Sequence, residues 1–492
     1  MESISVSVFY GQNDVISFDN VEDAISFSFT RTVRRYEVDG NVSEEDINRL
    51  LRFDRSIDII FTNINLKESI VFQGKITNTI HFKDCSFNEI IIGKQTHFRI
   101  LLKFDSCTIE RLTGKENDTF LHLSLINNSS IRTLHLEDYN LKIEVNDCLM
   151  TNDWIFERCI FSSPSIKNIK GSHNIKIMSG EVSYLEVDDM QISRLSFEGV
   201  VIKNDIKLVK LGKYLKLMFE NCSFTDYKLE IEETNGAFIT ITQCRMEYKG
   251  ELKFNSKHMS YPNILINQCN FSHCIDIFNV HHSSISLTNT VFNELVVFRN
   301  KNPKNLKIMN SSFQKGLMIP IDDNSHSQIH SSVWCVLKNK ALQSNDKIKA
   351  LDYRKLEMDA YTRELFSKPK KCPEKTILIL NKISNNHGLS WTRGIAFTLV
   401  TVVLFYYLYY VSKCNFDVSC KYVDFNNIKV FIANALQFLW IPQGIKDLEI
   451  ELPLSKSWYS FLIMILSFFL GKILIAYGIY QTVAAFRKHG KI

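Results

Sequence analysis

The chain has 492 residues, of which 45% are apolar and 23% charged, with only 18 Gly and 8 Pro. That balance supports a sizeable core and excludes a disordered, collagen-like or linker-dominated chain. Twelve Cys are too few for a disulfide scaffold, and Met1-Glu2 opens a polar alternating stretch rather than a basic start with an apolar core. No secretory leader is recognised, so a reducing, cytosolic setting is expected for the bulk of the chain. The net charge of +5 is unevenly spread: residues 1–332 carry −6, residues 333–393 carry +7, and the last six residues carry +3. The acidic first two thirds offer no basic face for nucleic acid.

Residues 1–79 alternate like strands, with Val42 to Phe53 helix-like. They are expected to cap whatever follows. From residue 80 to residue 332 a phrase recurs: an alternating apolar strand, a polar residue, a small residue, one spacer, then a bulky apolar residue. The small slot is taken by Cys85, Cys107, Cys148, Cys159, Cys222, Cys244 and Cys269. Ser129, Gly180, Gly199, Thr290 and Ser311 fill it elsewhere. Neighbouring slots lie 19 to 25 residues apart, except for one step of 11 from Cys148 to Cys159. Strand alternation repeated near every 22 residues predicts stacked coils, because helical repeats need longer periods and a 3.6-residue pattern. The Leu-x-x-Leu-x-Leu phrase of leucine-rich repeats is missing. The fold class expected is therefore mainly β: a parallel β-helix, or solenoid, of about a dozen coils. The small residue would fit a tight corner, and the Phe, Ile or Met two positions later would point inward and stack on its copies. Buried thiols of this kind make a structural ladder rather than a metal or redox centre. Cys269 and Cys274 have no matching second pair for zinc.

Asp84-Cys85-Ser86-Phe87 and Asn221-Cys222-Ser223-Phe224 resemble phrases of bacterial pentapeptide-repeat and related β-helical proteins. This chain departs from them in lacking a strict five-residue period. The resemblance implies a bacterial membrane effector, or a stress or defence protein, when such a domain is joined to membrane spans.

Beyond residue 332 the pattern turns helical, and residues 333–393 form an adapter. Ser344 or Asn345 can cap a helix running through Phe366, with Ile348, Leu351, Met358, Tyr361 and Leu365 on one face. Pro373 then starts a short apolar helix, Ile377 to Ile383. Its basic flanks suit an interfacial position on an anionic leaflet. A soluble helical pair packed on the β-domain is the alternative.

Residues 394–486 read as a membrane module. Gly394 to Ser412 is uncharged, and residues 457–486 are broken by a single charge, Lys472. Each is long enough to cross a bilayer core. Residues 430–445 are uncharged, short for a span and apolar for a loop, which favours a re-entrant or interfacial helix. The positive flanks before the first span and in the tail, 487–492, place both termini in the cytoplasm, at the inner membrane. Span, short helix, span resembles simple two-span cation channels, although the Thr-Val-Gly-Tyr-Gly filter is missing. Trp440, Pro442, Gln443 and Gly444 occupy the place of a filter and are pore or gate candidates. Ser460, Ser467, Gly471, Gly478 and Ala485 fall within about 20° of one line on the second span, a face for close helix packing against the first span or another subunit. Lys472 lies off that face. It would line or gate a pore, pair with an acidic lipid, or snorkel to the headgroups. Cys414 and Cys420 between the spans could form a disulfide.

No phosphate loop, metalloprotease helix or nucleophile elbow is present, and Asp188-Asp189 and Asp322-Asp323 are the only paired Asp in the coils. Neither an enzyme nor a cofactor is expected. Two functions remain. One is a sensor coupled to an oligomeric ion-conducting or membrane-permeabilising module. The other is a non-conducting, membrane-tethered scaffold whose β-helix binds a protein partner.

Overall fold

The computed structural model describes residues 4–10, 14–28, 33–40, 42–51, 58–74, 79–95, 99–162, 164–171, 173–212, 215–225, 228–232, 236–247, 251–255, 263–272, 284–298, 305–319, 329–367, 372–413, 428–439 and 458–489. Two compact units account for them, Met1–Ile329 and His330–Ile492.

The first unit is a mostly parallel β-solenoid of about 10 turns. It begins with an antiparallel group. Strand Ser5–Tyr10 pairs with Asp14–Phe18 and with Val33–Asp39. Helices α1 (Val21–Ser28) and α2 (Glu44–Leu51) complete this end. Val33–Asp39 then pairs parallel with Asp58–Thr62, and the stack runs on from there.

Registered rows show why the period is legible. On one face Leu112, Leu134, Trp154, Ile175, Leu195, Leu217, Ile239, Ile264, Ile285 and Leu306 are successive partners, and all are buried. Strand alternation turns every second residue inward, and parallel in-register pairing sets like on like about 4.8 Å apart. Aromatic rings then stack directly. Phe271, Phe292 and Phe313 lie at centroid distances of 4.8 Å, and Phe197 lies 4.7 Å from Phe219. Burying each such side chain contributes about 1.5–3 kcal/mol.

The polar residue of the repeating phrase has a backbone role. Asp84, Ser106, Asn128, Asp147, Arg158, Ser179, Asn221, Gln243, Gln268, Asn289 and Asn310 all have positive φ, and each immediately precedes the slot residue. The left-handed conformation makes the corner, and Asn and Asp adopt it at low cost. Gly199 belongs to this series, with φ of 64°. The slot there is Val200, whose carbonyl accepts from Ser223 N just as the Gly180 carbonyl accepts from Val201 N. The sequence reading of Gly199 as the slot was thus one residue early. At Gly180 the corner is tight, since a Cβ would lie 2.1 Å from the Cys159 carbonyl oxygen.

The 11-residue step also finds its cause. Cys85, Cys107, Ser129 and Cys148 stack at one corner, and that row continues as Ile169, Met190 and Leu211. Cys159 is the first small residue of the row at a second corner, where Tyr139 precedes it and Gly180, Val200, Cys222, Cys244, Cys269, Thr290 and Ser311 follow. Cys148 and Cys159 therefore share a coil. Counting slots as coils therefore overcounts by one, and the stack has about 10 turns where a dozen were expected.

Outward positions carry charge pairs one coil apart. Glu89–Arg111 at 3.1 Å, Glu110–Arg132 at 2.9 Å and Glu181–Lys203 at 2.7 Å are examples. Glu186, Lys207 and Glu230 alternate in sign along one outward row.

In the second unit, α3 (Ser331–Gln343) and α4 (Lys347–Phe366) are followed by α5 (Cys372–Asn385), α6 (Trp391–Lys413), α7 (Ile428–Phe438) and α8 (Trp458–His489). Two of these, α6 and α8, are long and apolar enough to cross a membrane. Helix α3 was not foreseen. His330 caps it by accepting from Ser332 N, and it buries Val333, Trp334, Leu337 and Ala341. Asp346 rather than Ser344 or Asn345 caps α4. The expected apolar row of α4 does not bury as a row, because Ile348 is 63% and Tyr361 40% exposed. Of that row Leu365 alone is buried, joined by Ala350, Ala360 and Thr362, with Tyr353 stacked on Trp334 at 6.2 Å.

Candidate functional site

The two long helices lie against each other along a seam of small residues. Ser460, Ser467 and Ala485 of α8 are buried. Gly471 and Gly478, from the same row, approach α6 so closely that a side chain would collide. A Cβ on Gly471 would lie 2.8 Å from Phe405 Cβ, and one on Gly478 would lie 2.5 Å from Thr398 Oγ1. At Gly471 and Gly478 the row meets α6 of the same chain, and at Gly471 also Phe438 of the short helix α7 (Ile428–Phe438).

The approach is reciprocal. On α6, a Cβ at Gly394 would lie 2.5 Å from Thr482 Oγ1. Gly394 and Thr398 on one helix therefore face Thr482 and Gly478 on the other. Each threonine hydroxyl donates back to the glycine carbonyl of its own helix, at 2.9 Å in both cases. The hydroxyl thus has a partner without leaving the seam, as a buried polar group in an apolar helix contact requires. The sequence carries this signal as Gly-x-x-x-Thr at Gly394–Thr398 and again at Gly478–Thr482. It was missed because small residues were sought on the second span alone.

Helix α7 is too short to cross a bilayer. It rests against both long helices through aromatic side chains. Phe431 lies 5.0 Å from Tyr406 of α6, and Phe438 lies 5.9 Å from both Tyr406 and Phe468. Val402, Tyr406, Tyr409, Ala435, Phe438, Met464, Phe468 and Ile475 form one buried cluster. Lys472 enters this cluster. Its Nζ donates to the Phe438 carbonyl oxygen at 2.8 Å and stands 4.9 Å from the Phe438 ring centroid and 5.5 Å from that of Phe468. The roles expected for Lys472 from the sequence, lining or gating a pore, pairing with an acidic lipid or snorkelling, do not name this contact. A backbone carbonyl is invisible to a search for complementary side chains.

At the other end of α8 a polar junction ties α5 in place. Asn381 Oδ1 accepts from Tyr477 OH at 2.7 Å and from Gln481 Nε2 at 3.0 Å. Asn385 Nδ2 donates to the Gln481 carbonyl at 3.3 Å and to its Oε1, while Asn385 Oδ1 accepts from Gly388 N at 2.7 Å. From α4, Asp359 meets Lys382 Nζ at 2.9 Å and the buried His387 Nε2 at 3.5 Å. His387 first, and Lys382 with it, hold the Asp359 carboxyl well below the usual carboxylate range. Helix α5 is thus longer than expected and wedged between α4 and α8. Its Ile377 and Ile383 remain more than half exposed.

The seven solenoid cysteines are free and buried. Cys148 donates to Asn146 O of its own coil, and the other six thiols donate to carbonyls of their own and the previous coil, as in Cys107 Sγ to Asp105 O at 3.2 Å and to Phe82 O at 3.3 Å. Burial pushes Cys148 up to about 12 and Cys159 up to about 11, so both stay protonated at neutral pH and are poor ligands and nucleophiles. Among the described residues no three His, Cys, Asp or Glu side chains gather for a metal ion. Asp188 lies 3.8 Å from Lys210, and Asp189 is a corner residue with φ of 51°. Trp440, Pro442, Gln443 and Gly444 lie outside the described residues, as do Cys274, Cys414, Cys420 and the pair Asp322-Asp323.

No protein-family model, no curated protein and no solved structure matches this chain.

Proposed function

We propose that this is a membrane-anchored β-solenoid protein, with the solenoid and both termini on the cytoplasmic side of an inner membrane. In this reading the solenoid is a sensor, and α6, α7 and α8 form an oligomeric ion-conducting or membrane-permeabilising module. The bilayer is its first partner and further copies of the chain are its second. The observation that carries the reading is α7. An apolar helix too short to span, seated between two spanning helices with a lysine ammonium at its end, has no use in a simple tether. In hydrocarbon, both its terminal carbonyls and that ammonium need protein or water around them. The pentapeptide-like phrases and the two-span layout favour a bacterial membrane effector on resemblance.

One observation favours the scaffold instead. The two glycines of the small-residue row of α8 are taken up by α6 within one chain, which leaves them nothing to offer a neighbour. Such a protein would sit as a monomer and bind a protein partner along its coil faces. Reconstitution into liposomes decides between them. Ion or dye release together with a cross-linked multimer supports the pore; a monomer that releases nothing overturns it in favour of the scaffold.

A further inference from the structure

Helix α7 is held very unevenly. Val430, Ile432 and Leu436 are each more than half exposed, whereas Phe438, its last residue, is 1% exposed. The final turn of a helix carries carbonyls without intrahelical partners, at the negative end of the helix dipole. Lys472 places a cation on that end, 2.8 Å from the Phe438 carbonyl. The neighbouring residue, Gly471, makes room for the ring: a Cβ there would lie 3.1 Å from Phe438 Cε1. The Phe438 and Phe468 rings both lie within cation–π range of the same ammonium. Two consecutive residues of α8 therefore bind one residue of α7 twice, once through its ring and once through its carbonyl.

We propose that Gly471 and Lys472 form a socket for Phe438, and that withdrawal of Phe438 from this socket is the step that opens the membrane module. The second half rests on the conducting reading above; the first half does not. Lys472 is then a positioning residue. It seats α7 and need not touch a permeating ion. Seating by a charge-assisted bond suits a reversible device, because such a bond is strong in low dielectric and is replaced readily once water enters. Besides Phe438, α7 is held by Ala435, which is buried, and by Phe431, whose ring packs on Tyr406.

The test uses the full chain in lipid nanodiscs and follows backbone hydrogen exchange by mass spectrometry, with ion release from liposomes measured in parallel. In Lys472→Met, amides of residues 428–438 should exchange roughly ten- to hundredfold faster, as expected for loss of one charge-assisted hydrogen bond, while α6 and α8 are unchanged. Phe438→Ala removes the plug rather than the socket and should do the same. Lys472→Arg keeps a cationic donor and should restore protection. Ion release should rise in the first two variants and return in the third. Unchanged α7 protection in both Lys472→Met and Phe438→Ala overturns the socket. Loss of protection without any change in ion release overturns the opening step and leaves the socket standing. If wild type and every variant are silent, the conducting reading fails, and the exchange data still decide the socket.

Discussion

Gly478→Ala is the sharpest probe of the helical seam. The added methyl would start 2.5 Å from Thr398 Oγ1 and 3.1 Å from Phe397 Cδ1, where relaxed contacts need about 3.5 Å. The hydroxyl cannot swing away freely, because it is bonded at 2.9 Å to the Gly394 carbonyl. The helices must separate by roughly 1 Å, or Thr398 must leave its rotamer, and overpacking of this size costs about 1–3 kcal/mol. Thr398→Ala removes the obstructing oxygen while leaving the backbone seam in place. The double variant should therefore recover about 1 kcal/mol or more relative to the sum of the single changes. Unfolding of the full chain in mixed micelles, titrated with a denaturing detergent and followed by helical ellipticity, measures all four species. A Gly478→Ala protein within about 0.3 kcal/mol of wild type, a margin set by the scatter of such cycles, refutes the seam. So does a full penalty that persists in the Thr398→Ala background.

Three further outcomes test other parts of the molecule. Phe292→Ala, which removes the ring between Phe271 and Phe313, should cost about 3–5 kcal/mol, read from the thermal midpoint of the β signal; a shift no larger than that of an exposed control such as Phe238→Ala would contradict the ring stack. Asn221→Val forces a branched residue to φ of 54° and should cost about 1–2 kcal/mol, whereas Asn221→Gly should be nearly neutral; equal penalties would deny the left-handed corner. Asp359 has a native carboxyl pKa below its unfolded value, so its stabilising contribution is fully present above about pH 4 and is lost as pH falls through the native value. Denaturant midpoints of the helical unit should drop over that acidic range in wild type, and Asp359→Asn should be weaker at pH 7 with a flatter profile.

The solenoid was legible because its cause is written twice in each coil. Inward residues alternate, and a residue at positive φ, nearly always polar and once Gly199, precedes each of the described slot residues. What sequence alone blurred was which of two corners a slot belongs to, since Cys148 and Cys159 look alike though they sit on different rows. Helix α3 had readable signals, with Val333, Trp334, Leu337 and Ala341 at helical spacing, but its cap is a histidine rather than Ser, Asp or Asn. The small row on the second span was visible, while its counterpart in Gly394 and Thr398 was hidden among larger residues. The Phe438 carbonyl as a partner for Lys472 has no sequence signature, because every residue owns a carbonyl.

The outward row Glu186, Lys207, Glu230 has a consequence for how such an array can change length. Excising the single coil that carries Lys207 would splice Glu186 directly against Glu230, two like charges side by side on a parallel sheet. Removing or duplicating coils in pairs preserves the alternation. In this stretch the ribbon is therefore expected to grow and shrink by even steps, as a tiling of two colours does.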